Sequence, residues 1–236
     1  MRSSINQDQM YVTVDMLILT VRAGQLNLLL RRRAEPPHEG KWALPGRFIS
    51  PDESAETSAN RLLEEMLPIR DTFLEQLYTF TDVNRDARGR VISIAYLVIV
   101  SQSGLAKLIA EKQPPFYRFR IALDEGGLRL TGEDEEELRP GDLAFDHGQI
   151  IETGVRRLRG KIDYTDIGFR FLEDANTFSL GELQAVYEAI LGEKLDNSNF
   201  RRAIMNRYEK TGRLKQTDQT GKQGRGRPAA LYRMTL

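Results

Sequence analysis

The sequence predicts an α+β protein in two parts: a layered domain over residues 1–165, then a helix pair and basic hairpin over 166–236. Three observations carry this. Strand-like runs surround two helical stretches before residue 165, the pattern switches to paired amphipathic helices from Phe178 onward, and charge is divided unevenly. Net charge is zero, yet residues 197–236 hold ten Lys and Arg against two acids, a balance of +8 that leaves −8 for the rest. A charge run is usually a solvated face, so its pattern has to decide.

VTVDMLILTV (12–21) and LNLLLRRR (26–33) are β-rich runs joined by the short RAGQ turn, which predicts a hairpin. Glycine and proline punctuate EPPHEGKWALPG, after which Ser54–Leu67 has helical composition and Pro68 stops it. LEQLYTFTDV (74–83) and VISIAYLVIVS (91–101) are further strands, the second too continuously apolar for an exposed edge, with the charged loop NRDARGR between them. Residues 117–140 suggest a hairpin followed by an acidic connection, and HGQIIETGVRRLRGKI (147–162) a helix with Ile150, Ile151 and Val155 on one face.

The hydrophobic fraction of 40% supports a real core. No run approaches the ~18 apolar residues needed to cross a bilayer, and MRSSINQDQM lacks an apolar signal segment, so a cytoplasmic location is expected. The absence of cysteine excludes disulfides and thiolate metal sites. His38 and His147, the two histidines, are far apart in sequence and argue against a histidine metal cage.

In the C-terminal part, Ser179 with Glu182 three residues later forms a capping-box signature for a helix carrying Leu180, Leu183, Val186, Tyr187, Ile190 and Leu191 on one face. GEKLDNS supplies a turn with cap candidates, NFRRAIMNRYEKTG gives a second helix that Gly212 ends, and Ser198 and Asn199 at their junction are expected to face DNA. RLKQT and AALYRM flank a Gly-rich turn, so helix, turn, helix and hairpin make a winged helix-turn-helix. At ~100° per residue, Phe200, Ala203, Ile204 and Tyr208 share a core arc, and Arg207 falls on that arc and snorkels or pairs. Arg202, Met205 and Asn206 point the other way with Arg201 on the flank, donors suited to phosphates and base edges. Lys215 on the first wing strand and Lys222, Arg225 and Arg227 in the glycine-spaced wing complete a DNA-binding set.

The stretch GRFISPDESAETSANRLLEEMLPI, preceded by KWALP, resembles the Nudix signature. With the motif glycine placed at Arg47, Glu53, Arg61, Leu63, Glu65 and Ile69 fit, whereas Arg47, Leu62, Met66 and Pro68 depart. Sliding by one, so that Gly46 is the motif glycine, recovers Glu64 and Glu65 but puts Asp52 for Glu, Asn60 for Arg and Arg61 for Glu. The resemblance implies a hydrolase of nucleoside diphosphates whose helix glutamates clamp Mg²⁺. Leucine and methionine at 62 and 66 offer no oxygen to that ion, and as helix core they turn a ligand face into packing. No catalytic residue, cofactor or metal is therefore expected. Binding can outlast chemistry: Arg47 beside the pyrophosphate loop, Arg85, Asp86 and Arg88 for phosphate or ribose, Glu53 paired to Arg61, Glu65, and Trp42 as a stacking platform or core residue.

A broken Nudix signature followed by GRGRPAALYRM resembles the Nudix-related transcriptional regulators of NAD metabolism, with WALPGRFI, DVNRDARGR, LAFDH, FRRAI and GRPAALY in that order. The resemblance implies a Nudix-like α/β/α sandwich with a mixed sheet, a winged helix on an operator duplex, a homodimer, and ADP-ribose as effector. Two alternatives stay open: an active Mg²⁺-dependent ADP-ribose pyrophosphatase with an accessory nucleic-acid-binding domain, and an arabinose-sensing regulator of the same architecture.

Overall fold

The computed structural model describes residues 9–66, 72–111, 116–221 and 229–235. The chain forms two compact units, Met1–Thr20 with Asn27–Arg156, and Val21–Leu26 with Arg157–Leu236. This division falls inside a continuous helix, a few residues before the boundary expected at 165.

The first unit is built on a mixed sheet. Strands β1 (Tyr11–Arg22) and β2 (Gln25–Arg32) are neighbours, as the hairpin reading required, and β5 (Phe73–Phe80), β6 (Val91–Ile99), β7 (Tyr117–Asp124), β8 (Gly127–Thr131) and β9 (Glu137–Leu138) give the order β5-β6-β1-β2-β7-β8-β9. Short β3 (Trp42–Ala43) pairs with β2, and β4 (Gly46–Phe48) with β1. β1 runs parallel to β6 and antiparallel to β4, which makes the sheet mixed.

Successive side chains of β1 face opposite sides. Val14, Met16 and Ile18 join a core with Ala59, Leu62, Leu63 and Met66 of α1 (Ala55–Met66) and Leu105 of α2 (Gln102–Glu111). On the other face, Gly154 of α3 (His147–Ile162) lies so close to Leu17 that an added Cβ would meet its Cδ2 at 2.2 Å. Helices therefore cover both faces, the expected three-layer sandwich. α3 has its expected bounds, and Ser54 Oγ accepts the Thr57 N–H at 3.0 Å to start α1. Pro68 and Ile69 lie outside the described residues. α2 is a correction to the two-helix reading: SQSGLAKLIAE carries only a short apolar face, too weak to announce a helix.

In the second unit, α4 (Leu180–Leu191) begins on the expected capping box: Ser179 Oγ accepts the Glu182 N–H and the Glu182 carboxylate accepts the Ser179 N–H at 2.7 Å. Gly192, at φ +80, ends it in the left-handed conformation that glycine adopts without strain. α5 (Asn197–Ile204) follows, capped by Asp196, whose carboxylate accepts the Asn199 N–H at 2.8 Å. The single long second helix needs correction, since Met205–Glu209 forms a widened π turn before Gly212. Phe200, Ile204 and Tyr208 are buried as expected, but Ala203 is exposed, because a methyl at the edge of the arc does not reach the core. Strands β10 (Phe178–Ser179), β11 (Leu214–Gly221) and β12 (Ala229–Met234) form a sheet ordered β10-β12-β11. A helix pair followed by a hairpin is the winged-helix arrangement. Among the described residues no helix is long and apolar enough to cross a membrane.

Candidate effector pocket and DNA-binding face

A cavity of about 190 Å³ opens in the first unit between β1, β2, β4, the 84–90 loop and the start of α3. Its floor is Thr13 and Asp15, on the α3 side of β1. Asp15 is buried and accepts from Ser93 Oγ at 2.5 Å and Thr13 Oγ1 at 3.3 Å, with Arg85 Nη2 and His147 Nε2 each 3.7 Å away. Gly46 crosses directly over it: a Cβ there would sit 2.1 Å from Asp15 Oδ1, so glycine is required for this approach.

Arginines dominate the walls. Arg85, almost wholly enclosed, donates Nε and Nη2 to Asp146 at 2.9 and 2.7 Å. Arg88 grips Asp86 at 3.0 and 2.7 Å. Burial pushes the Asp86 carboxyl up, but the Arg88 guanidinium and backbone N–H bring it below the usual carboxylate range. Arg33 donates to the Pro37 carbonyl at 2.8 Å and lies 4.8 Å over the Phe145 ring. Arg31 differs: its side chain has no hydrogen-bond or ion-pair partner among the described residues, and burial lowers its pKa against the pull of Asp15. A half-buried guanidinium without a counterion is poised for an anion.

Aromatic rings frame the mouth. The Arg88 guanidinium lies 5.3 Å from the Phe48 ring and 5.6 Å from that of Phe145. Phe145 has φ +52, a left-handed conformation costly for a bulky residue and found most often where function demands it. His147 is buried, and its Nδ1 accepts the Leu44 N–H at 2.9 Å, so the ring proton sits on Nε2, facing Asp15.

Of the expected ligand residues, the cavity brings together Arg47, Arg85, Asp86 and Arg88. Arg47 borders it, but stands opposite Val14 in the β1–β4 register and so sends its guanidinium to the α1 side, donating to Glu65 at 3.0 Å. Glu53 and Arg61 pair as expected, at 2.6 and 2.8 Å, and Glu53 also accepts the Ser50 N–H. That backbone bond, followed by Arg61, holds the Glu53 carboxyl down at about 2. Glu53, Arg61 and Glu65 brace the loop onto α1 and do not line the cavity. Trp42 lies away from it, 5% exposed, edge-on to Tyr117 and Phe119 and under Arg32, which favours its core reading.

A divalent cation does not fit the signature helix. Leu62 and Met66 are buried with Val14, Met16 and Ile18, on the face of β1 opposite Asp15 and the cavity floor. The carboxylates of Glu53 and Glu65 already serve Arg61 and Arg47. Burying each apolar side chain contributes ~1.5–3 kcal/mol to stability, a direct return for the lost oxygens.

Residues missed from sequence are Thr13, Asp15, Arg31, Arg33, Phe48, Phe145 and His147. Two signals existed: an aspartate inside the apolar run VTVDMLIL, and the alternation of LLLRRR, which sends Arg31 and Arg33 to one face and Arg32 to Trp42 on the other.

On the second unit, Ser198, Asn199, Arg201, Arg202 and Asn206 are exposed, and Met205 is half-buried. Arg201 Nη2 donates to the Tyr232 hydroxyl at 3.0 Å and Arg202 Nη2 to Asn199 Oδ1 at 2.7 Å, both neutral partners that leave the cations available. Arg207 is half-buried with its guanidinium 5.1 Å from the Tyr208 ring, as its place on the apolar arc suggested. Lys215 stands directly across from Arg233, both exposed. Like charges opposed in a hairpin are unfavourable unless a polyanion meets them. Lys222, Arg225 and Arg227 lie outside the described residues.

A mixed sheet with the signature helix on one face, joined to a winged helix, defines a two-part Nudix protein, and comparison with known proteins agrees. Residues 10–139 match the NUDIX domain and residues 168–234 the NrtR DNA-binding winged helix domain. The chain is 34% identical over 227 residues to the ADPR responsive transcriptional repressor NtrR of Acinetobacter baylyi, covering 95% of this chain and 82% of that one. It superposes on Shewanella oneidensis NrtR, crystallised with a 27mer DNA, with TM-score 0.73 and 31% identity over 95% of this chain and 93% of the other. An ADP-ribose pyrophosphatase of Methanocaldococcus jannaschii is 28% identical over 139 residues, 56% of this chain and 68% of that protein. The chain belongs to the NrtR family of Nudix-domain transcriptional regulators.

Proposed function

We propose that the protein is an ADP-ribose-responsive transcriptional repressor that binds operator DNA as a homodimer, controls genes of NAD synthesis or salvage in the cytoplasm, and does not hydrolyse its effector. The observation that carries this reading is the conversion of α1, where Leu62 and Met66 are core residues on the far side of the sheet from the arginine-walled cavity. Arg31, Arg33 and Arg88 suit a pyrophosphate, Asp15 and Asp86 can accept ribose hydroxyls, and Phe48 and Phe145 offer ring faces at the mouth. The responsiveness in the name of the Acinetobacter baylyi relative and the DNA in the Shewanella oneidensis crystal support the same pairing of effector and duplex.

The effector weakens DNA binding only by preferring one arrangement of the protein, and operator DNA must then weaken effector binding by the same factor, ~1–3 kcal/mol for typical coupling. The test is to titrate ADP-ribose with and without operator at fixed salt, and to assay AMP release with Mg²⁺. Expected are binding, reciprocal antagonism and no turnover. Multiple-turnover AMP release that needs Mg²⁺ would give the chain to the pyrophosphatase reading, and a response to arabinose alone to the sugar-sensing one.

A further inference from the structure

Two polar side chains on α4 are engaged by neither the helix cap nor the core. Gln184 and Glu188, one turn apart, both reach over the turn that leads into α5. Glu188 Oε1 accepts the Leu195 N–H at 3.2 Å and Gln184 Nε2 at 3.0 Å, and its Oε2 accepts Lys194 Nζ at 2.6 Å. Gln184 Nε2 also lies 3.0 Å from the Leu195 carbonyl and 2.7 Å from Asn197 Oδ1. The network thus grips both backbone groups of Leu195 and the first residue of α5. It faces an open groove between α4 and α5, not the apolar core, which is formed by Leu183, Val186, Tyr187 and Ile190 on the buried face.

We infer that Glu188, with Gln184, is a positioning residue for operator recognition, fixing the angle and register at which α5 presents Arg201 and Arg202 to base edges. The inference rests on the reading of α5 as the helix that enters DNA. An acid this close to a DNA-binding face is electrostatically unfavourable for any duplex, so its presence needs a compensating role. Base readout requires side chains held within a fraction of an ångström, whereas phosphate attraction tolerates misplacement. Lys194 and Gln184, then the Leu195 N–H, hold the Glu188 carboxyl down at about 2, so it is an anion at neutral pH.

The two functions of the acid predict opposite effects on two duplexes. The test uses the full-length protein, a duplex selected by the wild type from a random-sequence pool, and a scrambled duplex of equal length and composition. For Glu188→Ala, affinity for the scrambled duplex should hold or tighten while affinity for the selected one falls, lowering the ratio about tenfold, the size of one lost base contact. Glu188→Gln keeps the shape and an oxygen for the Leu195 N–H and should retain most of the ratio. A partly unfolded preparation lowers both affinities alike and leaves the ratio in place, so the readout separates positioning from stability. An unchanged ratio in Glu188→Ala, or equal tightening on both duplexes, would overturn the inference and leave a mere surface charge. A wild type that selects no duplex over the scrambled one would remove the DNA reading itself, and this inference with it.

Discussion

Arg85 is enclosed between Asp146 and Asp15, its side chain 3% exposed, whereas Arg201 and Arg202 stand in solvent and touch only a neutral hydroxyl and a neutral amide. One unit surrounds Arg85 and Arg88 with acids and rings, fixing their guanidinium groups before a ligand arrives. The other leaves Arg201 and Arg202 without an acid partner, in a segment, residues 197–236, whose balance is +8. A small effector needs a rigid, desolvated and mostly balanced cavity, since every loose side chain subtracts from its affinity. A duplex carries its own dense charge and rewards cations that remain free to displace counterions. The same side chain is therefore structural in one region and functional in the other, and substitution should separate the two.

The largest effect is expected at Arg85. Arg85→Met keeps volume but leaves the buried Asp15 and the half-buried Asp146 without their cation, which should cost about 3–5 kcal/mol in urea unfolding. Arg202→Ala, measured beside it, should change stability by no more than ~0.5 kcal/mol. If the two variants lose equal stability, the contrast between regions fails.

Arg31 sharpens the comparison within the pocket, because its side chain has no hydrogen-bond or ion-pair partner among the described residues. Arg31→Leu should weaken ADP-ribose binding by ~1.5–3 kcal/mol, read by calorimetry, since a charged hydrogen bond is lost. Unfolding stability should hold or rise, as a desolvated guanidinium is removed. A stability loss comparable to that of Arg85→Met would mean that Arg31 is a structural cation after all.

On the other unit, Arg202→Ala should cost ~1–3 kcal/mol on operator DNA and relax specificity at one position per half-site if it reads a guanine. Lys215→Ala should instead weaken all duplexes alike and reduce the salt slope by about one. Identical behaviour of the two variants on selected and scrambled DNA would erase the distinction between base-reading and phosphate-holding residues.

The regions also differ in how far sequence alone exposes them. Caps and helical periodicity are local, so α3, α4 and the Ser179–Glu182 box could be read in order along the chain. The outward face of α5 was legible for the same reason, apart from Ala203, whose burial depends on how far a neighbour reaches. The pocket is assembled from five separated segments, and most of its residues carry no local sign. Asp15 and His147 meet only because β1 passes beneath the start of α3, and Phe145 takes its place through a backbone conformation that no residue pattern predicts. The Nudix signature pointed to α1, whereas the cavity uses the opposite face of the sheet.

The smallest expected effect comes from His147, and it tests whether the pocket is set before ligand arrives. Burial lowers its pKa below the ordinary 6.5; Asp15 and Asp146 pull it up, and Arg85 and Arg33 push it down further. With Nδ1 accepting from Leu44, protonation would break that bond as well as bury a charge. The sign follows from the depressed value. The unfolded chain takes up a proton as pH falls through 6.5 while the folded chain does not, so this group's contribution is complete above 6.5 and declines below it, by at most ~1.4 kcal/mol per pH unit until the folded pKa is reached. Urea unfolding at pH 7.5, 6.5 and 5.5 should show that decline in the wild type. His147→Gln, whose side-chain oxygen can accept the Leu44 N–H and cannot titrate, should be less stable at pH 7.5 from imperfect packing yet flatter with pH. Parallel pH profiles for the two proteins would assign the decline to His38, the other histidine, whose pKa burial also lowers, and leave His147 a packing residue.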